Sequence, residues 1–526
     1  MNKANPLIKA YVTNALKYVT EEMGISLVNA AYSPNITERE DRSTAIFDEK
    51  GRLITQAEHV PVHLGSLAIG FKRVLDYCKK ESIEMAKNSM LIANNPYLTQ
   101  SHLNDVIVLM PFFIEDELVG YLVNKAHHVD VGGSSPGSKS VSAKSIFEEG
   151  LLINPTYIVR EGKVVQESLS FIKGNSRDPE EREGDLKAQI AANYTGALKL
   201  NSVITKVGID QFRLIVDELI DDTKETVQKK IKELKKIKNE GAGEEQIELP
   251  DSKSAFILAR IKFQDNRIIF DFSGTEDQLY LPYNAPYGVT IASVFYVMKS
   301  LFGGDLTVND GFLDCFNVMA PSSSIVNASF PFPVAASNTI ISQKIAVLLF
   351  RIFNDIIPGL VPAGASTSFN TVTFSGLKQD GKQFVYTETN GAGRGAMRGL
   401  NGISGIQIYM TNTKNTPIED IEIRYPILVE QYELRDSSGG KGRWRGGDGI
   451  VRKFRMLEDN VEILIHSDDV TSPPRGFSGG SDGAPTEIMI EENGKIHNVP
   501  SKYRTVLMKG DSVTLKTPGG GGYGEP

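Results

Sequence analysis

The chain has 526 residues, of which 40% are hydrophobic and 23% are charged, as in an ordinary folded protein. This composition argues against disorder of the whole chain, and the formal net charge of −8 disfavours binding to nucleic-acid phosphates. The 48 glycines and 24 prolines predict many turns, and so strands and loops more than a helical bundle. With only two cysteines, a disulfide framework and a thiolate metal cage are both excluded.

The sequence predicts neither a signal peptide nor a membrane-spanning segment. Residues 1–10 contain no basic segment followed by an apolar run, so no signal peptide is predicted. The longest apolar runs, 289–298 and 345–350, are too short to span a bilayer. We therefore expect a soluble cytoplasmic protein that binds neither membrane nor nucleic acid.

The chain opens with a predicted amphipathic helix. Apolar residues recur at three- and four-residue spacing from Leu7 to Met23, and the helix either ends near Gly24 or continues toward Pro34. Two hairpins follow in this half of the chain, one turning at 48–51 and one at the acidic segment 115–117. Their predicted strands are 44–47 with 53–56 and 106–114 with 118–123, and the predicted helices are 67–79, 180–200 and 211–238.

Beyond residue 240 the pattern changes to strands. The segment Gly241-Ala242-Gly243 is a natural boundary, which predicts one domain over 1–240 and a second over 241–526. We predict an α+β fold in which the N-terminal helix and hairpins form a metal site and the C-terminal half is rich in strands. The predicted strands are 255–263, 267–272, 461–466 and 487–491, with one further helix at 340–353.

Histidines are clustered in the N-terminal half, where five of the seven lie between positions 59 and 128. His102 and Asp105 stand three residues apart before one strand of the second hairpin, and His127 ends the other. If the hairpin turns about Asp116, Asp105 faces His127 across the ladder, with about 5 Å between their Cβ atoms. Imidazole and carboxylate at that spacing suit a divalent cation such as Zn²⁺ or Mn²⁺.

Two alternatives stay open for this cluster. A shift of one residue in the register would put His128 in the place of His127. A histidine at a strand end is also often a hydrogen-bonded core residue, so spacing alone makes metal binding and a structural role about equal. A fourth ligand cannot be found from spacing, and the acidic loop 38–41 is by composition more typical of a solvated turn.

His59 and His63 form a second pair, four residues apart. Pro61 opposes a helix through both, which disfavours a shared metal. Placing substrate, orienting the metal ligands and a purely structural role are the alternatives for this pair.

Glycine-rich segments at 439–449 and 518–524 match neither a P-loop nor a dinucleotide fingerprint, and we predict tight turns between strands there. If ATP is consumed, another chain binds it. We predict no serine nucleophile elbow, and neither Cys78 nor Cys315 has a histidine nearby in sequence, so covalent catalysis is disfavoured.

A series of short motifs, in order from the first helix to the last residue, resembles the hydantoinase B/5-oxoprolinase family, which is related to acetone carboxylase and caprolactamase subunits. Among them are Glu38, Asp41, the His-Leu-Asn-Asp segment at 102–105 and the Ala-His-His-Val-Asp segment at 126–130. The others lie at 31–36, 56–66, 95–97, 131–133, 147–150, 184–189, 271–275, 284–286, 410–413, 446–449 and 517–524.

The resemblance implies a B-type subunit that acts in a hetero-oligomer with a hydantoinase A-type subunit. That partner binds ATP and phosphorylates the amide oxygen of a lactam or, in the carboxylase branch, an enolised ketone. The B-type subunit holds one divalent metal ion, Zn²⁺ or Mn²⁺, and completes the hydrolysis or carboxylation. By motif position the implied metal ligands are Asp41, His102, Asp105 and His127.

Three hypotheses for the function follow. The first is the hydrolytic subunit of a lactam or hydantoin hydrolase, most of all a 5-oxoprolinase that converts 5-oxoproline, ATP and water to glutamate, with His59, His63 and His128 as candidates for moving protons. The second is a subunit of an ATP-dependent ketone carboxylase acting on acetone or an aryl ketone. The third is a non-catalytic scaffold that kept the fold.

One departure from the family concerns the substrate. Many members carry histidines just before the Met-Thr-Asn segment at 410–412, where this chain has Gln407 and Tyr409. Residues 390–405 also diverge. If this region lines the substrate pocket, its divergence is compatible with a substrate other than oxoproline.

Overall fold

The computed structural model describes residues 3–57, 59–234, 236–304 and 306–526. Among these residues no helix is both long enough and apolar enough to cross a membrane. The helices are α1 (Pro6–Ala30), α2 (Pro34–Thr37), α3 (Ser66–Lys80), α4 (Pro96–Thr99), α5 (Gln166–Lys173), α6 (Pro179–Val207), α7 (Ile209–Glu233), α8 (Tyr287–Phe302), α9 (Asp310–Leu313), α10 (Ser342–Ile356) and α11 (Ile418–Arg424).

The strands confirm the predicted α+β class. Within the described residues they form four sheets, three of them beyond residue 240, as the prediction of a strand-rich C-terminal half requires. The strands are β1 (Arg42–Asp48), β2 (Leu53–Ala57), β3 (Met90–Ala93), β4 (Asp105–Ile114), β5 (Glu117–His127), β6 (Thr156–Arg160), β7 (Lys163–Val164), β8 (Glu240–Glu248), β9 (Ser254–Gln264), β10 (Arg267–Asp271), β11 (Phe316–Met319), β12 (Thr371–Leu377), β13 (Gln383–Glu388), β14 (Ile427–Leu434), β15 (Ile450–Met456), β16 (Val461–His466), β17 (Glu487–Glu492), β18 (Lys495–Asn498), β19 (Lys502–Leu507) and β20 (Ser512–Lys516).

The N-terminal sheet is antiparallel, with the order β2-β1-β5-β4-β3-β6-β7, and it is covered on both faces. Val106 and Val108 pack in the core that includes α1 and α6, while Ile107 and Leu109 pack in the core that includes α3. Successive strand residues point to opposite faces, so burial of both faces explains why 106–114 is apolar without alternation.

Helix α1 continues through Gly24 to Ala30, which settles the first of the open alternatives. A Cβ atom at Gly24 would lie 2.5 Å from Cε1 of His59. Gly24 therefore allows the imidazole of His59 to pack directly on the helix backbone, and it does not end the helix.

The glycines at 241–243 do not lie in a linker, because they are part of strand β8. A Cβ atom at Gly241 would lie 2.9 Å from Cγ2 of Ile352, and one at Gly243 would lie 3.2 Å from Cδ1 of Leu348. Because these glycines have no side chain, α10 can approach strand β8 closely. The preceding helix, α7, ends at Glu233, five residues earlier than predicted. The division into domains at residue 240 stays a prediction.

The remaining sheets build two further cores. The sheet with the order β11-β10-β9-β8 packs against α8 and α10, where Val289, Phe270 and Ile345 are fully buried. The sheets β13-β12-β16-β19 and β14-β15-β20-β17-β18 share one core, in which Phe374 and Phe454 have ring centres 5.1 Å apart.

The prediction of tight turns in the glycine-rich segments is wrong. The segments 439–449 and 519–522 are mostly irregular, and they pack backbone against backbone with each other and with residues 363–364 and 393–395. Backbone hydrogen bonds join Gly520 N to Gly447 O at 2.9 Å and Gly440 N to Gly520 O at 2.8 Å. We call these four segments the glycine core. These backbone segments are hydrogen-bonded to one another and lie so close together that no side chain fits between them.

The glycine core predicts a specific intolerance to methyl groups. A Cβ atom at the buried Gly446 would lie 1.9 Å from the carbonyl oxygen of Gly520, whereas one at the exposed Gly304 would meet no atom within 4 Å. We expect Gly446→Ala to lower the free energy of unfolding by roughly 1–3 kcal/mol or more, because the backbone must shift. Urea denaturation of this variant and of the control Gly304→Ala measures the effect, and equal stability of the two would contradict this account of the packing.

Candidate functional site

The candidate site lies where the ends of three neighbouring strands meet. The predicted register is confirmed: Asp105, which begins β4, is the partner of His127, which ends β5. Asp41 comes directly before β1, and its carbonyl oxygen accepts a hydrogen bond of 3.1 Å from the His127 backbone N–H. The alternative register, which would replace His127 by His128, is excluded.

A small cavity at this point has a volume of about 20 Å³. That volume accommodates a single water molecule or ion. Three of the four predicted ligands, Asp41, His102 and His127, line it. The wall is completed by Arg39, Val60, Val62, Lys139, Asn338, Thr339, Phe369, Thr389, Thr411 and Thr413.

The two imidazoles have the separation of a shared metal site. The ring centres of His102 and His127 are 5.0 Å apart. Two imidazoles bound tetrahedrally to one Zn²⁺ through nitrogens at ~2 Å would have their ring centres roughly 5 Å apart. Burial, followed by the positive charge of Lys139, holds the pKa of His127 well below its usual range, so this ring is neutral, as a metal ligand must be. Asn35 fixes its orientation, since Nδ2 of Asn35 donates to Nδ1 and to the carbonyl oxygen of His127 at 3.1 and 2.9 Å.

Asp105 does not line the cavity but lies behind His102. Its Oδ2 atom accepts a hydrogen bond of 2.9 Å from Nδ2 of Asn338 and another from the hydroxyl of Ser101. The same oxygen lies 3.2 Å from Nδ1 of His102 and 3.2 Å from Nε2 of His63. Its Oδ1 atom is buried without a hydrogen-bond partner in the described chain.

Burial alone would raise the pKa of the Asp105 carboxyl, but the charges of His102 and His63 hold it well below its usual range. Asp105 is therefore a buried anion. One of its two oxygens is free to accept a further interaction.

The donor set fits a divalent cation: two imidazoles and the Asp41 carboxylate line the cavity, and the Asp105 carboxylate, with one unpartnered oxygen, lies behind His102. In the parts of the chain that the structure describes, however, no three His, Cys, Asp or Glu side chains converge tightly enough to hold an ion as they stand. The ligand set Asp41, His102, Asp105 and His127 therefore stays a prediction.

The three other predicted histidines lie outside the cavity wall. His63 is the one connected to the site, because its Nδ1 lies 2.9 Å from Oγ of Ser43 while its Nε2 faces Asp105. His59 pairs instead with Glu21 on α1, at 2.8 Å. Their assignment to proton transfer stays a prediction.

His128 belongs to a buried amide network. Its Nε2 atom lies 2.9 Å from Oε1 of Gln189, and Nε2 of Gln189 in turn donates to Oδ1 of Asn124 at 2.8 Å. Burial, followed by the charge of Arg182, lowers the pKa of His128 to about 4. The ring is therefore neutral near pH 7. Its assignment to proton transfer also stays a prediction.

Two buried cations on the cavity wall were missed from the sequence. Arg39 donates to the carbonyl oxygen of Thr387 at 2.7 Å and to Oδ1 of Asn35 at 2.6 Å. Burial, followed by the charge of Arg39, lowers the pKa of Lys139 to about 8. The wall therefore carries positive charge on one side, where an anionic oxygen would be stabilised. Lys139 follows a serine- and glycine-rich stretch, in which no spacing marks it.

Glu149 positions the backbone that leads to Asn338. Its carboxylate oxygens accept hydrogen bonds from the backbone N–H groups of Val334 and Ala335 at 3.0 and 2.8 Å. The following π-helical turn, Ser337–Ile341, carries Asn338 onto Asp105. Burial raises the pKa of the Glu149 carboxyl to about 8. This carboxyl is thus a neutral support of the site near pH 7.

This shift predicts a pH-dependent stability. Because the pKa of Glu149 is raised from 4.5 to about 8 on folding, its contribution to stability is fully present below pH 4.5 and is lost as the pH rises through 8. We expect wild type to lose stability relative to Glu149→Gln between these two values, since glutamine cannot ionise. Urea denaturation at pH 5, 7 and 9 measures the difference, and a difference that does not vary with pH would contradict the assignment.

Fold and site together define an α+β protein with a buried imidazole–carboxylate centre, built where three antiparallel strands end. The sequence matches the profile of the hydantoinase B/oxoprolinase family over residues 5–526, and the chain belongs to this family.

Its relatives include proteins with and without an assigned activity. An uncharacterized protein of Methanocaldococcus jannaschii is 42% identical over 98% of this chain and 90% of its own length. A proposed D-/L-hydantoinase subunit of the B type, from a Pseudomonas strain, is 30% identical over 100% of this chain and 91% of its own length. The 5-oxoprolinase of Dictyostelium discoideum is 29% identical over 99% of this chain, but the chain spans only 40% of that longer protein.

Solved structures share the fold. The ATP-dependent caprolactamase of Pseudomonas jessenii superposes with a TM-score of 0.92 over 100% of this chain and 92% of its own, at 23% identity. An acetone carboxylase structure gives a TM-score of 0.91 over 99% of this chain and 76% of its own, at 16% identity. At these identities the likeness concerns the fold alone.

Proposed function

We propose that the chain is the hydrolytic subunit of an ATP-dependent cyclic-amide hydrolase, with 5-oxoproline as its leading substrate and an ATP-binding A-type subunit as its partner. The observation that carries the proposal is the convergence of Asp41, His102 and His127 on one cavity, with Asp105 behind it. Membership of the family and the names of the relatives support the reaction class.

The chemistry of the amide suggests which subunit carries out which step of the reaction. An unstrained amide resists attack by water, and phosphorylation of its oxygen turns that oxygen into a leaving group. This chain has no P-loop or dinucleotide fingerprint, so we assign ATP to the partner. The subunit then has to open the activated ring.

Each residue of the site has a role in that step. Asp41, His102, Asp105 and His127 would hold the divalent cation, Zn²⁺ or Mn²⁺, which when bound supplies Lewis acidity and activates water. Arg39 and Lys139 present positive charge to an oxygen that becomes anionic as the ring opens. Asn35 holds the His127 ring in place, and Asn338 holds the Asp105 carboxylate.

Metal binding can be tested without turnover. We expect wild type to bind one equivalent of Zn²⁺ or Mn²⁺ and His102→Ala to lose most of it, because one of two imidazole ligands is removed. His497→Ala, on the exposed strand β18, is the matched control and should bind as wild type does. Dialysis against each metal followed by elemental analysis gives the stoichiometry. Full occupancy in His102→Ala, or none in wild type, would remove the proposed centre.

The reaction is tested with the complex. Together with its A-type partner, the chain should release glutamate from 5-oxoproline only when ATP is present, because the amide must first be activated. Glutamate is measured by an enzymatic assay and ADP in parallel. ADP release that instead requires bicarbonate and acetone would replace this proposal with the ketone carboxylase. With metal bound but neither reaction observed, 5-oxoproline would be rejected as the substrate.

A further inference from the structure

A second, larger cavity lies next to the Met-Thr-Asn segment, with a volume of about 300 Å³. Its wall is about equally polar and apolar, and its apolar side chains include Phe350, Met397 and Ile408. The polar residues of the wall include Ser300, Arg394 and Gln407. A cavity of this size, with a few polar groups beside apolar side chains, has the character of a small-molecule site.

This cavity adjoins the candidate metal centre. Nε2 of Gln407 lies 3.4 Å from the carbonyl oxygen and from Oγ1 of Thr389, and Thr389 lines the metal cavity. Three residues beyond Ile408, Thr411 lines the metal cavity as well. The walls of the two cavities therefore touch at Gln407 and Thr389.

The segment 408–411 contributes to both cavity walls and is held by hydrogen bonds to a side chain. The side chain of Gln343 accepts from Met410 N at 3.0 Å and donates to the carbonyl oxygen of Ile408 at 2.9 Å. Between them Tyr409 has a φ of +53°, which is uncommon for a residue with a bulky side chain. Such strain persists only where the surrounding structure enforces it, and it is typical of functional positions. With this backbone conformation, Tyr409 forms part of the wall of the larger cavity.

Arg394 supplies the charge of this cavity. In the described residues no carboxylate pairs with its guanidinium. Its backbone is fixed in the glycine core, because Arg394 N donates to Ile403 O and Arg394 O accepts from Gly447 N, both at 2.9 Å. Burial raises the pKa of Tyr296 and Tyr409, and Arg394 acts against this shift in both, which places its charge near both hydroxyls. An arginine on the cavity wall that pairs with no carboxylate of the described residues suits a carboxylate on a small ring.

We propose that the larger cavity binds a cyclic amide that carries a carboxylate, with Arg394 paired to the carboxylate and Gln407 beside the ring amide, on the side of the metal centre. This inference rests on the proposed function and names its substrate class. It assigns the residues that replace the family's histidines, Gln407 and Tyr409, to substrate selection.

Binding of two ring compounds to the full chain tests the proposal. 5-Oxoproline carries the carboxylate, and 2-pyrrolidinone is the same ring without it. We expect wild type to bind 5-oxoproline at least tenfold more tightly than 2-pyrrolidinone, measured by calorimetry or ligand-observed NMR. Arg394→Gln should remove this preference by weakening 5-oxoproline alone, and Arg394→Lys should restore part of it.

Arg398→Gln is the matched control, because Arg398 is also exposed, lies four residues away and does not line the cavity. Thermal melting of each variant confirms that it is folded. Equal binding of the two compounds by wild type, binding of neither, or an unchanged preference in Arg394→Gln would overturn the proposal.

The outcome is separable from that of the proposed function. If the carboxylate preference depends on Arg394 but the complex releases no glutamate, the cavity assignment stands and the reaction is wrong. If glutamate is released and Arg394→Gln leaves the KM for 5-oxoproline unchanged, the reaction stands and the cavity assignment is wrong.

Discussion

The site depends on one buried anion and on the strand pairing that places it. Asp105 is fully buried, yet four polar groups around a single oxygen atom keep it ionised: two histidines, a serine and an asparagine. A carboxylate without such partners would take up a proton when buried. His102 comes from the loop before β4, His63 from a 3-10 turn at 61–63 and Asn338 from the π-helical turn, so three distant segments have to assemble before this charge is stabilised.

The cavity is accordingly a joint product of both halves of the sequence. Asp41, His102 and His127 lie at or just before the strand ends of the N-terminal sheet, whereas Thr389, Thr411 and Thr413 come from segments beyond residue 380. Arg39 connects the two halves of the sequence. Its guanidinium donates to the carbonyl oxygen of Thr387, and its own carbonyl oxygen accepts from the Lys414 backbone N–H at 3.2 Å. A centre built in this way cannot form in the first 240 residues alone.

The pairing of Asp105 with His127 could be predicted from the sequence because the acidic turn places the centre of the hairpin near Asp116. The sequence does not show the irregularity between Phe112 and Phe113, which shifts the register from the Ile114–Glu117 pair at the turn to the Asp105–His127 pair at the far end. The position of Asp41 required the family resemblance, since the Arg42–Ala126 pairing joins strands that are distant in sequence. The sequence around Lys139 does not mark it as a site residue, because Lys139 is buried by segments that are distant in sequence.

The glycines show the same limit. In the sequence, a run of glycines is typical of turns. At 439–449 and 518–524 that interpretation is wrong, because the glycines there allow neighbouring backbones to approach closely, just as the glycines of β8 allow a helix to approach the strand. Local conformational freedom can be read from a sequence, whereas the proximity of another chain segment cannot.

That core also restricts how the protein can be altered. Arg394 and its immediate neighbours are anchored in main chain packed against main chain, where even a methyl group is excluded at several positions. Changes to the wall of the larger cavity, in nature or by design, are therefore confined to the few side chains that project away from this packing, such as those at 407 and 409. The backbone of the glycine core cannot move to accommodate larger residues, so only the side chains at these outward positions are free to vary.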